Sequence, residues 1–125
     1  MPLYTVSTKK PVSELKKLTI VNLITEAHCL LTGAPANYVQ VVFAQGIPLP
    51  RKTAFHVLGS IRSGRSDAIK AQIRQKIISA LSNLDAKKRV TEVVLIDVPA
   101  SWIMEGGEIM PEPDQDHLHQ SAINP

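Results

Sequence analysis

Ser13–Leu31 reads SELKKLTIVNLITEAHCLL, and 53 residues further along Ser66–Leu84 reads SDAIKAQIRQKIISALSNL. With that shift Ser13 falls on Ser66, Lys17 on Lys70, Ile20 on Ile73, Ile24 on Ile77, Ala27 on Ala80 and Leu31 on Leu84. Both stretches open with a serine followed by an acid, a side-chain cap and a dipole-compatible charge for a helix N-terminus. In the first, Leu15, Ile20, Leu23, Ile24, Ala27 and Leu31 form the apolar stripe of an amphipathic helix, and Gly33 and Pro35 end it. Self-similarity at a fixed period is the mark of a duplicated structural unit.

Working outward, each helix is flanked by extended segments. Leu3–Thr8 alternates and is rich in β-formers, Tyr38–Ala44 follows the first helix, Phe55–Ile61 precedes the second and Val93–Val98 follows it. The same shift lays Val41 on Val94. Each half is therefore β-α-β, with a helix long enough to cross over between parallel strands. The expected fold class is α+β: two tandem β-α-β units forming one sheet, with both helices on one face. The domain spans residues 1–113, with repeats of about 2–53 and 54–113, and a polar tail occupies 114–125. The opposite sheet face is left bare, while the strands are apolar at nearly every position (Val39, Val41, Val42, Phe43; Val93, Val94, Leu95, Ile96). That pattern suits burial on both faces, so a second copy is expected to cover the open one. The segment after Pro99, with its Gly-Gly pair and Ile109-Met110, is expected to add a short strand to a neighbouring subunit.

Length and composition bound the function. A chain of 125 residues, 44% hydrophobic and 20% charged, suits one globular domain. Its net charge of +3 comes from interspersed rather than clustered lysines and arginines, so no nucleic-acid footprint is expected, and the excess suits an anionic small substrate. Cys29 is the single cysteine, which excludes an intrachain disulfide and fits a reducing interior. No signal-peptide core and no membrane-length apolar run is present, and a cytoplasmic location is expected.

Pro2, directly behind Met1, is the first candidate functional residue. Loss of the initiator leaves a secondary amine at the start of a strand, held in one orientation by its ring and able to take or give a proton near neutrality. Arg62 and Arg65 lie three apart across Ser63-Gly64, just before a helix N-terminus whose dipole opposes them. An anion between the two guanidinium forks resolves that mismatch. His28 borders the apolar stripe, either as a packed histidine or as a ligand to substrate. His117 and His119 stand too far from other ligands to make a metal site, and no metal or organic cofactor is expected.

An N-terminal proline on a doubled β-α-β unit resembles the tautomerase superfamily, which includes 4-oxalocrotonate tautomerase, macrophage migration inhibitory factor, malonate semialdehyde decarboxylase and cis-3-chloroacrylic acid dehalogenase. The motifs look most like those of the last group. Thr25-Glu-Ala-His28 leading to Ala34-Pro35 and Val39-Gln-Val-Val-Phe43 resembles its helix and second strand. Ile61-Arg-Ser-Gly-Arg65 resembles its paired-arginine loop, and Val98-Pro-Ala-Ser101 with Met104-Glu105 resembles its late acidic segment. The resemblance implies Pro2 as the catalytic amine, Arg62 and Arg65 as carboxylate ligands, His28 as a substrate-binding residue and Glu105 as the residue that orients or activates water. It also implies a homotrimer and a small 2-oxo or unsaturated carboxylate as substrate. Members of this group that add water also use a tyrosine on the fourth strand; counted back from Pro99, that position is Val94 here. The expected activity is therefore proton transfer by Pro2, as in a tautomerase. The alternatives are a cofactor-independent hydratase or dehalogenase of cis-3-substituted acrylates, and a non-catalytic binding protein on the same scaffold.

Overall fold

The computed structural model describes residues 1–113; the expected tail, with His117 and His119, lies outside them. Strand β1 (Leu3–Ser7) leads into helix α1 (Glu14–Thr32), a 3-10 turn (Ala36–Tyr38) and β2 (Gln40–Ala44). The second half repeats the order with β3 (Thr53–Arg62), α2 (Asp67–Ser82) and β4 (Val90–Val98). A 3-10 turn (Ala100–Trp102) and a small hairpin, β5 (Met104–Glu105) with β6 (Glu108–Ile109), close the described chain. The strand order is β2-β1-β3-β4. β1 runs parallel to β2 and β3 parallel to β4, while β1 and β3 pair antiparallel at the centre. The sheet thus joins two β-α-β units, as the repeat requires.

The two helices are built by equivalent residues. Ser13 Oγ accepts the Lys16 N–H and Ser66 Oγ accepts the Ile69 N–H, each at 3.2 Å. Lys17 pairs with Glu14 and Lys70 with Asp67, the same one-turn ion pair in each half. Ile20, Ile24, Ile73 and Ile77 are fully buried and pack with Tyr4, Val6, Val57 and Ile61 of the central strands in one core. Truncating any of these isoleucines to alanine costs about 2–5 kcal/mol by the usual cavity penalty.

Leu15 departs from the expected stripe, being 76% exposed. It lies five positions before Ile20, which at 3.6 per turn places it about 140° around the helix from that residue. β2 starts at Gln40 rather than Tyr38, because Pro35 opens a single 3-10 turn in which Tyr38 N–H bonds to the Pro35 carbonyl. β3 and β4 begin earlier than the apolar runs suggest, at Thr53 and Val90. The Gly-Gly segment pairs with its own chain: Gly106 and Gly107 both take positive φ, the two-residue hairpin turn that such a pair permits, and Met110 folds back into a buried position against Ile103.

Along the strands the side chains alternate. Tyr4, Val41, Gly59 and Leu95 share a register row, as do Val6, Phe43, Val57 and Val93, and these rows lie beneath the helices. The row between them, Val42, Thr5, Leu58 and Val94, lies on the other face, where Val42, Leu58 and Val94 are 36–50% exposed. No helix of the described residues is long and apolar enough to cross a membrane.

Candidate active site

The candidate residues meet at the end of the sheet where β1 begins and β3 ends. Leu3 is in register with Ser60, so Pro2 stands at the Ile61–Arg62 end of β3. The Pro2 ring is buried, and its carbonyl accepts the Gln40 N–H at 3.0 Å, which ties the chain start to β2. The Met1 ammonium donates to the Tyr38 carbonyl at 3.1 Å and to the Glu105 carboxylate. Glu105 ends β5, immediately before the two-glycine hairpin turn. With Met1 in place the Pro2 nitrogen is an amide, with no N–H and no basic lone pair.

His28, in the penultimate turn of α1, is 2% exposed and points down onto the sheet. Its Nδ1 lies 2.8 Å from the Tyr4 hydroxyl, and the two rings meet edge to face at 5.8 Å between centroids. Burial, then the charges of Arg65, Arg62 and the chain terminus, push the His28 imidazole down to about 4. Burial holds the Tyr4 phenol well above its ordinary range, so both groups are neutral at pH 7. The phenol has no other acceptor among the described residues, so its O–H donates to Nδ1 and the imidazole proton rides on Nε2. His28 is therefore a neutral hydrogen-bond donor rather than a cation.

Arg62 ends β3 and is 4% exposed, with Nη1 on the Pro111 carbonyl at 2.6 Å. Arg65 sits half-buried immediately before the Ser66 cap of α2. A solvated basic turn would leave both in water; here the first is inside the protein, and the field of both reaches His28. The structure thus brings Pro2, His28, Arg62, Arg65 and Glu105 to one end of the fold. Val94 is not among them within the chain: it pairs with Leu58, level with Thr5 rather than Pro2, on the open sheet face. Trp102 is 78% exposed. Among the described residues no group of three or more potential ligands could hold a metal ion.

No family model matches the chain, and no curated protein resembles it in sequence at a significant level. Solved structures do. A member of the cis-3-chloroacrylic acid dehalogenase (cis-CaaD) family, N1, superposes with a TM-score of 0.82 at 24% identity, over 95% of this chain and 90% of its own. Native Ps01740 is 32% identical, with a TM-score of 0.70 over 82% of this chain and 99% of its own. A fused 4-OT solved as an asymmetric trimer matches at 0.74 and 21% identity, over 86% and 94%. The chain belongs to the tautomerase superfamily.

Within this superfamily fold, sequence reading overlooks Tyr4. Its signal is present: Tyr4 and Val6 share the helix-facing side of an alternating strand, and His28 lies four residues beyond the stripe position Ile24. Gly59 is its counterpart across the sheet. A Cβ there would stand 2.6 Å from Tyr4 Cε1 and 2.7 Å from Leu95 Cδ2, so only glycine lets the ring lie flat on β3. Gly59→Ala is expected to displace the Tyr4 ring and destabilise the fold by about 1–3 kcal/mol, the usual scale of overpacking. Urea denaturation measures it; an unchanged midpoint would show that the ring has room to move.

The His28 shift makes stability pH-dependent. The unfolded imidazole binds a proton near 6.5 and the folded one only near 4, so the stabilisation is complete above pH 6.5 and is lost as pH falls through about 4. The slope between is at most about 1.4 kcal/mol per pH unit. Urea midpoints of wild type and His28→Gln between pH 7.5 and 4.5 are expected to converge as pH falls; parallel curves would show that His28 does not titrate anomalously.

Proposed function

We propose that the chain is a tautomerase-superfamily enzyme in which the free amine of Pro2 transfers a proton on a small 2-oxo or unsaturated carboxylate. The observation that carries this reading is the meeting, at one end of the sheet, of the chain start, the Glu105 carboxylate and a neutral His28 that lies in the field of Arg62 and Arg65. Removal of Met1 turns the Pro2 nitrogen into a secondary amine, one residue along from the Met1 ammonium that meets the Tyr38 carbonyl and Glu105. A neutral amine there removes a proton from an enol or from the carbon next to a carbonyl and returns it at the other end of the delocalised system, so that the substrate is isomerised with no net change in atoms or electrons. Arg62 and Arg65 hold the substrate carboxylate and stabilise the enolate that develops, and the His28 Nε2–H supplies a further donor without adding charge.

A second reading is water addition to a cis-3-substituted acrylate, with chloride release where the substituent is chlorine. It is favoured by Glu105, an acid at the chain start able to activate water, and by the likeness to N1 of the cis-CaaD family. Against it stands Val94: the resemblance puts a water-handling phenol at that position, on the open face that a neighbouring copy would cover, and valine neither donates nor accepts a hydrogen bond. Proton shuttling therefore ranks first.

The open sheet face and the trimeric 4-OT neighbours support a homotrimer, in which each copy covers another's Val42, Leu58 and Val94. Light scattering on the processed protein should give a trimer mass. The same preparation should ketonise phenylenolpyruvate and release little chloride from cis-3-chloroacrylate, with Val94→Tyr shifting the balance towards hydration. Efficient chloride release by the wild type would make the second reading the first, and a folded trimer inert on both substrates would leave a binding scaffold.

A further inference from the structure

At the far end of the sheet lies a cavity that the proposed chemistry does not use. It has a volume of about 240 Å³ and opens between the loop after β1, the first turn of α1, the start of β3 and the turn before β4. Five cations line it: Lys9, Lys10, Lys16, Lys87 and Arg89. Asp85 is the single acid in the lining. Pro2 and this cavity are separated by the length of β1, roughly 17 Å for five residues at about 3.4 Å each.

The charges there are not balanced internally. Asp85 is 6% exposed and hydrogen-bonds to Arg89: its two oxygens accept Nη2 at 2.9 Å and Nε at 3.0 Å, and Oδ2 also takes the Arg89 backbone N–H at 2.7 Å. Among the described residues, Lys9, Lys10, Lys16 and Lys87 form no ion pair with an acid. The Lys16 ammonium is held 5.7 Å from the centre of the Phe55 ring, so its position is set by packing. Ser13, the cap of α1, also lines the space, which brings the positive end of a 19-residue helix to the same cavity.

We propose that this cavity is a second anion site and that its ligand is a small phosphate or phosphate ester. The donor set separates it from the Pro2 end. The one guanidinium fork in the lining is spent on Asp85, which leaves ammonium groups. These are compact point charges that suit a tetrahedral dianion, whereas paired forks such as Arg62 and Arg65 suit a planar carboxylate. The concave shape and its volume admit one small group rather than a polymer backbone. An anion also relieves the mutual repulsion of Lys9, Lys10 and Lys87, which form no ion pair among the described residues, while Lys16 feels the charge of Asp85.

The test uses inorganic phosphate and glycerol 3-phosphate as probes, titrated into ¹⁵N-labelled protein at constant ionic strength, with malonate as the carboxylate control. Saturable shifts are expected at the amides of Lys9, Lys10, Val12 and Ser13 and of 87–89, from phosphate and its ester but not from malonate. The variant carrying both Lys10→Ala and Lys87→Ala should weaken phosphate at least about tenfold, the loss of one to two charge-assisted contacts. Both lysines are exposed, so the variant should retain its fold. Arg65→Ala should leave phosphate affinity at this site unchanged, which makes the test independent of activity at Pro2. Non-saturable shifts, shifts confined to the Arg62–Arg65 end, equal binding of malonate, or unaltered affinity in the double variant would each overturn the proposal.

Discussion

A chain with Met1 removed should turn over phenylenolpyruvate at least about a hundredfold faster than the same chain carrying a blocked N-terminus, the scale set by loss of a positioned general acid–base group. The physical reason lies in one bond. While Met1 is attached, the Pro2 nitrogen is a tertiary amide without basicity, and the Met1 ammonium occupies the Glu105 carboxylate and the Tyr38 carbonyl. Cleavage creates the amine and releases Glu105 in the same step. A short Gly-Ser extension before Met1 restores the amide without altering any residue of the fold, and Pro2→Ala keeps a free amine but loses the ring that orients it. Mass spectrometry reports the state of each N-terminus, and steady-state rates report the rest. Full activity in the extended protein would end the amine hypothesis, whereas equal melting temperatures in all forms would show that the effect is chemical.

The arginine pair should control recognition of the substrate carboxylate. Arg65→Ala is expected to raise KM for carboxylate substrates about 30- to 1000-fold, corresponding to the roughly 2–4 kcal/mol of a lost charge-assisted bond in a desolvated site. Arg65→Lys should recover little, because an ammonium cannot form the bidentate fork. Arg62→Ala should show the same kinetic defect together with a lower melting temperature, since Arg62 is buried and also holds the Pro111 carbonyl. That pairing of effects separates a binding residue from one that only anchors the 100–113 segment. Unchanged kinetics in the Arg65 variant would place the pair outside the site.

The helices and their caps were legible because the signals are local. Ser13 and Ser66 cap through residues three positions on, and Ile20, Ile24, Ile73 and Ile77 follow a period that needs no knowledge of the rest of the chain. The strand ends were less legible: Tyr38 carries β propensity but sits in a 3-10 turn, and Thr53 and Val90 join the sheet through pairing with a partner strand rather than through their own pattern. Of the candidate site, Pro2, His28, Arg62 and Arg65 could be named from residue chemistry and the family resemblance, and Glu105 from the resemblance alone, while Tyr4 was not named.

By itself, the sequence determined that the chain is a doubled β-α-β unit with two capped helices over an apolar sheet, and it singled out the candidate site residues. Only the tertiary structure decided what those residues meet. Tyr4 and His28 are 24 positions apart, and Met1 and Glu105 are 104 apart. The first contact needs α1 to pack back over β1, and the second needs the segment after β4 to return to the chain start; neither follows from a local period. Periodicity specifies the face on which a side chain lies. The neighbour it finds there is set by sheet register and by the close approach that Gly59 allows, and these exist only once the two halves are paired.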